Sequence, residues 1–176
     1  VSSTAADGAG RREREPREIR PAVPGDEALV LEFVRELAAY ERLSHAVVAG
    51  VDDVRRALFE EPRSAEVLLV FDAGAPVGFA LFFHNFSTFV GRAGLYLEDL
   101  FVRPAARGRG HGKALLRRLA ALATERGCRR MEWAVLDWNE PAIEFYRRLG
   151  ARPMADWTIF RLEGERLAAL AEDEAG

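Results

Sequence analysis

One cysteine and one lysine stand among 176 residues, and each scarcity removes a class of protein. Cys128 has no second cysteine with which to form an internal disulfide, and behind a helix-ending glycine it reads as an inert thiol, not a nucleophile. No apolar run approaches the ~20 residues that cross a bilayer, and no signal-like apolar stretch opens the chain. A cytoplasmic protein without a membrane partner is therefore expected. A formal charge of −3 lacks the strongly basic face that nucleic acid requires, so small-molecule chemistry is favoured. His45, His84 and His111 lack metal-ligand spacing, and no metal is expected. What is present is apolar residue, 49% of the chain, enough for one sizeable core.

Residues 1–16 are Ser, Ala, Gly, Arg and Glu without apolar periodicity, and read as a flexible tail ahead of a single domain over 17–176. A strand is expected from Glu18 to Ala22, then Pro24-Gly25-Asp26 as a turn whose aspartate caps a helix. Leu29, Val30, Phe33, Val34, Leu37 and Tyr40 recur at helical spacing, and a shorter helix follows Asp52 and stops by Pro62. Val67–Phe71 and Val77–Phe83 read as a hairpin joined by Asp72–Pro76, and Leu95–Val102 as a third sheet strand. A helix from about Gly112 buries Leu115, Leu119, Leu122 and Ala123 and ends at Gly127. Met131–Leu136 is then a strand, Asn139–Leu149 a helix, Thr158–Leu162 a last strand, and a short helix ends the series. Antiparallel strands first and helix-connected strands later describe a mixed α/β sandwich.

Between strand and helix lies Arg107-Gly108-Arg109-Gly110-His111-Gly112-Lys113. Backbone N–H groups there can converge on an anion beside the positive end of the helix dipole. A bland glycine-rich connection is the competing reading, but three alternate glycines, two arginines and the only lysine coincide at that junction. A Walker A loop would need Gly at 107 and Ser or Thr at 114, where Arg107 and Ala114 stand. A dinucleotide fingerprint would need a third glycine at 113, where Lys113 stands.

Arg-x-x-Gly-x-Gly at Arg107–Gly112, the Leu95–Val102 strand with its Tyr-Leu-Glu-Asp core, and Asn139-Glu-Pro-Ala-Ile-Glu-Phe-Tyr146 together resemble the GNAT superfamily of N-acetyltransferases. Ala39-Tyr40-Glu41, Val135–Asn139 and Trp157 bring the chain closest to its diamine (spermidine/spermine) and thialysine N-ε-acetyltransferase group, over roughly Arg17 to Leu170. The resemblance implies a mostly antiparallel sheet whose fourth and fifth strands splay, with acetyl-CoA as cosubstrate. It implies that Phe101 and Val102 offer backbone hydrogen bonds to the pantetheine, that Arg107, Gly108, Arg109, Gly110, His111, Gly112 and Lys113 hold the pyrophosphate, and that Asn139 reaches the cofactor. Asn139 is also an ordinary helix N-cap. A homodimer is expected on the same ground.

An amine with a reference pKa of about 10.4 arrives protonated and must lose a proton before attack. Glu98, where the family places a carboxylate, is the expected base, directly or through water. Tyr146, at the place where the family's tyrosine approaches the coenzyme A sulfur, is the expected proton donor to the leaving thiolate. Asp99, Glu41, Asp156 and Trp157 are the residues the resemblance brings toward a cationic acceptor. Ser87-Thr88 departs from the acidic character of polyamine-specific relatives, so a short amine or lysine-like acceptor is as plausible as a long polyamine. The rivals are an acyl-CoA sensor without turnover, and an acetyltransferase of a protein or antibiotic amine. Glu98 and Tyr146 weigh against the sensor.

Overall fold

A computed structural model describes residues 17–172; the expected tail, residues 1–16, lies outside the described residues. The apolar three-and-four spacing becomes α1 (Glu27–Tyr40), and α2 (Val51–Phe59) follows a short 3-10 turn. Around them run β1 (Glu18–Pro21), β2 (Glu66–Asp72), β3 (Ala75–Ser87) and β4 (Arg92–Val102). The chain continues through α3 (His111–Glu125), β5 (Met131–Trp133), α4 (Glu140–Arg148) and α5 (Gly164–Glu172). Two compact units divide it, Val1–Ala134 with the sheet and α1 to α3, and Val135–Gly176 with α4 and α5.

The sheet has the order β1-β2-β3-β4-β5, antiparallel through β4, with β5 parallel to β4. Side chains alternate across a strand. One parity of β2, β3 and β4, with Val67, Leu69, Phe79 and Phe101, packs with Val30 and Phe33 of α1 and Leu58 of α2. Phe33 stacks on Phe79 at 5.5 Å between ring centres. The other parity buries Leu68, Val70, Ala80, Phe82, Leu95 and Leu97, and α3 adds buried Leu115, Leu116, Leu119 and Ala123. Removing any of these large side chains costs about 2–5 kcal/mol, because packed neighbours do not collapse into the space.

Several expectations need correction. Asp26 precedes α1 but makes no side-chain cap bond. Arg20 holds its carboxylate from two sides at 2.6 and 3.0 Å, and Val23 N–H donates to it at 2.8 Å, so the group is spent before it can cap. The hairpin turn is tighter than Asp72–Pro76: Ala75 and Pro76 already belong to β3, which runs on to Ser87. Leu122 is only half-buried, while Leu116 and His111 are buried. The strand expected over Met131–Leu136 stops at Trp133. Thr158–Leu162 forms no strand, and Ile159 and Phe160 are 77% and 91% exposed. Strand-forming composition yields a strand only where a neighbour completes its ladder, and among the described residues β5 has only β4 beside it. Cys128 is half-buried, not fully enclosed.

Candidate active site

Pairing along β4 changes character at Glu98. Leu97 lies opposite Phe82 and Asp99 opposite Leu81, so Glu98 is the extra residue of a β-bulge. On the other edge β5 pairs only Leu95, Tyr96 and Leu97, and β4 runs on from Glu98 to Val102 with no β5 partner. This is the opening expected of splayed fourth and fifth strands. Bulges re-aim side chains and end pairing. Here the register sets Asp99 opposite Leu81, on the face where Leu81 packs against the α1 core.

The carboxylates feel one another. Burial, then the charges of Glu98 and Glu41, push the Asp99 carboxyl up to about 7. Burial also raises Glu41, which stands at the C-cap of α1, where the negative end of the helix already disfavours a carboxylate. Tyr96 is raised by burial, with Glu98 and Glu132 adding to it. Glu41, Glu98 and Asp99 thus form one acidic face at the open edge of β4. Asp99 and Glu41 bear a cost to their ionised forms, and a cation arriving beside them and Glu98 relieves it.

The glycine-rich loop follows β4 after one 3-10 turn, Pro104–Ala106. Gly108 and Gly110 have φ of +77° and +82°, a left-handed conformation that a side chain would strain. The first helical bond of α3 runs from Ala114 N–H to the Gly110 carbonyl, so the N–H groups of His111, Gly112 and Lys113 precede the ladder and remain as donors at its positive end. Those donors fit a pyrophosphate.

The loop's long side chains turn elsewhere. Arg107 lies over Tyr40 at 4.4 Å and Phe101 at 5.7 Å, and its Nε donates to the Val102 carbonyl at 2.9 Å. It thereby joins the loop to the end of α1, next to Glu41. Arg109 pairs with Asp72 at 3.0 Å, and that bond, more than the neighbouring His111, holds the Asp72 carboxyl below its usual range. His111 is 3% exposed.

Asn139, Tyr146, Asp156 and Trp157 belong to the second unit. Asn139 is buried and caps α4 by accepting from Ala142 N–H at 3.4 Å, and Gly150 closes the helix with φ of +88°. Tyr146 lies in α4 with its ring 5.3 Å from Phe145. Trp157 is 68% exposed. No cluster of three metal-ligating side chains occurs among the described residues. Sequence reasoning missed Tyr40, Tyr96 and Asp72 as neighbours of the site. Tyr40 was legible as a core position and a marker of the family, and Asp72 only as a turn residue.

A model of the Acetyltransferase (GNAT) family matches residues 31–151. The chain is 37% identical over 164 residues to a thialysine N-epsilon-acetyltransferase of Bos taurus, covering 87% of this chain and 96% of that one. It is 31% identical over 198 residues to an L-ornithine N5-acetyltransferase of Arabidopsis thaliana, with 86% of each covered. Among solved structures, an integron cassette protein from the mobile metagenome of V. cholerae superposes with a TM-score of 0.75 at 29% identity, covering 89% of this chain and 98% of that one. The bulged acidic strand, the glycine loop at a helix start and the Asn-capped helix bearing Tyr146 occupy the span these relatives share, and the chain belongs to the GNAT family of acetyltransferases as an acetyl-CoA-dependent N-acetyltransferase.

Proposed function

We propose that the protein moves the acetyl group of acetyl-CoA onto the primary amine of a small cationic molecule of thialysine, ornithine or diamine type. The observation that carries the acceptor class is the acidic face of Glu98, Asp99 and Glu41 where β5 leaves β4. Kinship to thialysine and ornithine acetyltransferases supports it.

Acetyl-CoA supplies the thioester. Gly108, Gly110 and the N–H groups of His111, Gly112 and Lys113 hold its pyrophosphate, Arg109 and Arg107 frame the loop, Phe101 and Val102 border the arm with backbone groups, and Asn139 contacts it while capping α4. Asp99 and Glu41 attract the ammonium, and the family resemblance adds Asp156 and Trp157 as acceptor-binding residues. Glu98 takes the amine's proton, directly or through one water, freeing the lone pair that forms the N–C bond. As the C–S bond breaks, Tyr146 gives its phenolic proton to sulfur, and the second proton that nitrogen sheds on becoming an amide restores the phenol through solvent. A phenol with a reference pKa near 10 is protonated at neutral pH and suits that step. A second assignment of the base is favoured by one observation: Asp99 titrates at about 7, the range in which a general base works best.

The family match runs across both units, from 31 to 151, which supports reading 17–176 as one acetyltransferase domain, with residues 1–16 as its flexible tail. No helix among the described residues is long and apolar enough to cross a membrane. A cytoplasmic homodimer without metal, nucleic acid or membrane partners completes the proposal; exposed Phe86, Phe89 and Val90 at the β3–β4 turn offer an apolar surface for the second copy.

The test is thiol release from acetyl-CoA against thialysine, ornithine, putrescine, spermidine, lysine and short peptides, with Tyr146→Phe in parallel. Turnover on a small diamine-like acceptor, reduced roughly 100-fold by Tyr146→Phe, is expected. Turnover confined to peptides, or a Tyr146→Phe enzyme of full activity, contradicts the acceptor or the acid respectively.

A further inference from the structure

Ahead of β1, Arg17 reaches a loop 92 residues further along the chain. Its Nη2 donates to the Arg109 carbonyl at 2.6 Å, and its Nε donates to Nδ1 of His111 at 3.0 Å. A guanidinium only donates, so Nδ1 is the accepting nitrogen and the imidazole proton sits on Nε2. That Nε2 faces Asp72 with 3.3 Å to Oδ2, off the alignment of a hydrogen bond. Asp72 also receives Arg109 Nη1. The loop is therefore gripped at one carbonyl and one buried ring, from outside the motif.

The grip sets a direction. In a trans peptide the carbonyl and the N–H point opposite ways. With the Arg109 carbonyl turned to Arg17, the N–H of Gly110 in the same peptide points away from Arg17. Glycine cannot hold such an orientation by its own sterics, since it visits both signs of φ readily. His111 opens α3, so fixing its ring fixes the start of the helix whose free N–H groups face the same anion.

We propose that Arg17 is a positioning residue that aims the anion-binding donors of the glycine-rich loop through the Arg109 carbonyl and the His111 ring. The inference rests on the loop being the coenzyme A site, and it adds a determinant that lies outside the Arg-x-x-Gly-x-Gly motif.

Calorimetric titration of CoA into the parent, Arg17→Met, Arg17→Lys and Gly110→Glu, with steady-state kinetics for both substrates, tests it. Arg17→Met keeps the aliphatic stem and loses both donors; a charge-assisted hydrogen bond contributes enough for roughly a tenfold rise in Kd for CoA and in KM for acetyl-CoA. The KM for the amine and kcat at saturation should stay within about twofold, and Arg17→Lys, able to serve one acceptor but not both, should recover part of the loss. Unchanged CoA affinity in both Arg17 variants, with binding abolished in Gly110→Glu, overturns the positioning role and leaves the loop assignment intact. A rise in both KM values together also overturns it, since general loosening would produce that. Undiminished binding by Gly110→Glu removes the loop assignment, and the positioning role with it.

Discussion

The two halves of the site, both reached at the end of β4, recognise charge by opposite means. The acidic face uses side chains, Glu98, Asp99 and Glu41, and the Asp99 carboxyl is raised by burial and then by the charges of the other two. The loop uses backbone N–H groups released by left-handed glycines and a helix start, and its arginines are occupied with Tyr40, Asp72 and the Val102 carbonyl. Backbone donors carry no proton that titrates, so their sign is permanent. The difference separates two duties: a cosubstrate of fixed negative charge meets a fixed site, and an amine that must be discharged meets groups able to accept protons.

The largest effect should come from breaking the loop. Gly110→Glu adds a side chain at φ +82°, its Cβ 3.6 Å from Arg17 Nη2, and a negative charge on the anion-binding loop; binding of CoA should fall more than about 100-fold by calorimetry, with the thermal midpoint little changed. Next is the acidic face. Glu98→Gln removes a proton acceptor without changing shape, and kcat should fall roughly 100-fold with loss of the acid limb of the pH profile. A profile matching the parent in rate and shape would pass the role of base to Asp99.

The smallest effect is on stability. An Asp99 carboxyl that ionises at about 7 when folded, against 3.8 as reference, holds its proton more tightly in the native state. Stability therefore falls as pH rises from about 4 to about 7, and this group adds no slope on either side. Asp99→Asn should flatten that segment and stabilise the protein modestly above pH 7, read from urea midpoints at several pH values. An unchanged slope in the variant would mean that the carboxyl is not penalised by burial.

Much of this was legible because local rules and tertiary packing agreed. Val30 and Phe33 on α1, Leu115 and Leu119 on α3, and the glycines of the loop did what their spacing and φ requirements implied. The bulge at Glu98 was not legible, since a one-residue slip between β3 and β4 leaves no mark in composition. Nor was the course of Arg107 and Arg109: beside an anion loop an arginine reads as an anion ligand, and only the fold brings Tyr40 and Asp72 to them. Asp26 failed as a cap because Arg20 competes for the same carboxylate, and Thr158–Leu162 failed as a strand because propensity supplies no neighbour.

The division of labour is tested most directly by steady-state kinetics of Asp99→Asn with acetyl-CoA and the amine each varied. The account predicts a rise of roughly tenfold or more in the amine's KM, and an acetyl-CoA KM within about twofold of the parent. An acetyl-CoA KM that rises in step, or an amine KM that does not move, would contradict the assignment of the acidic face to the amine.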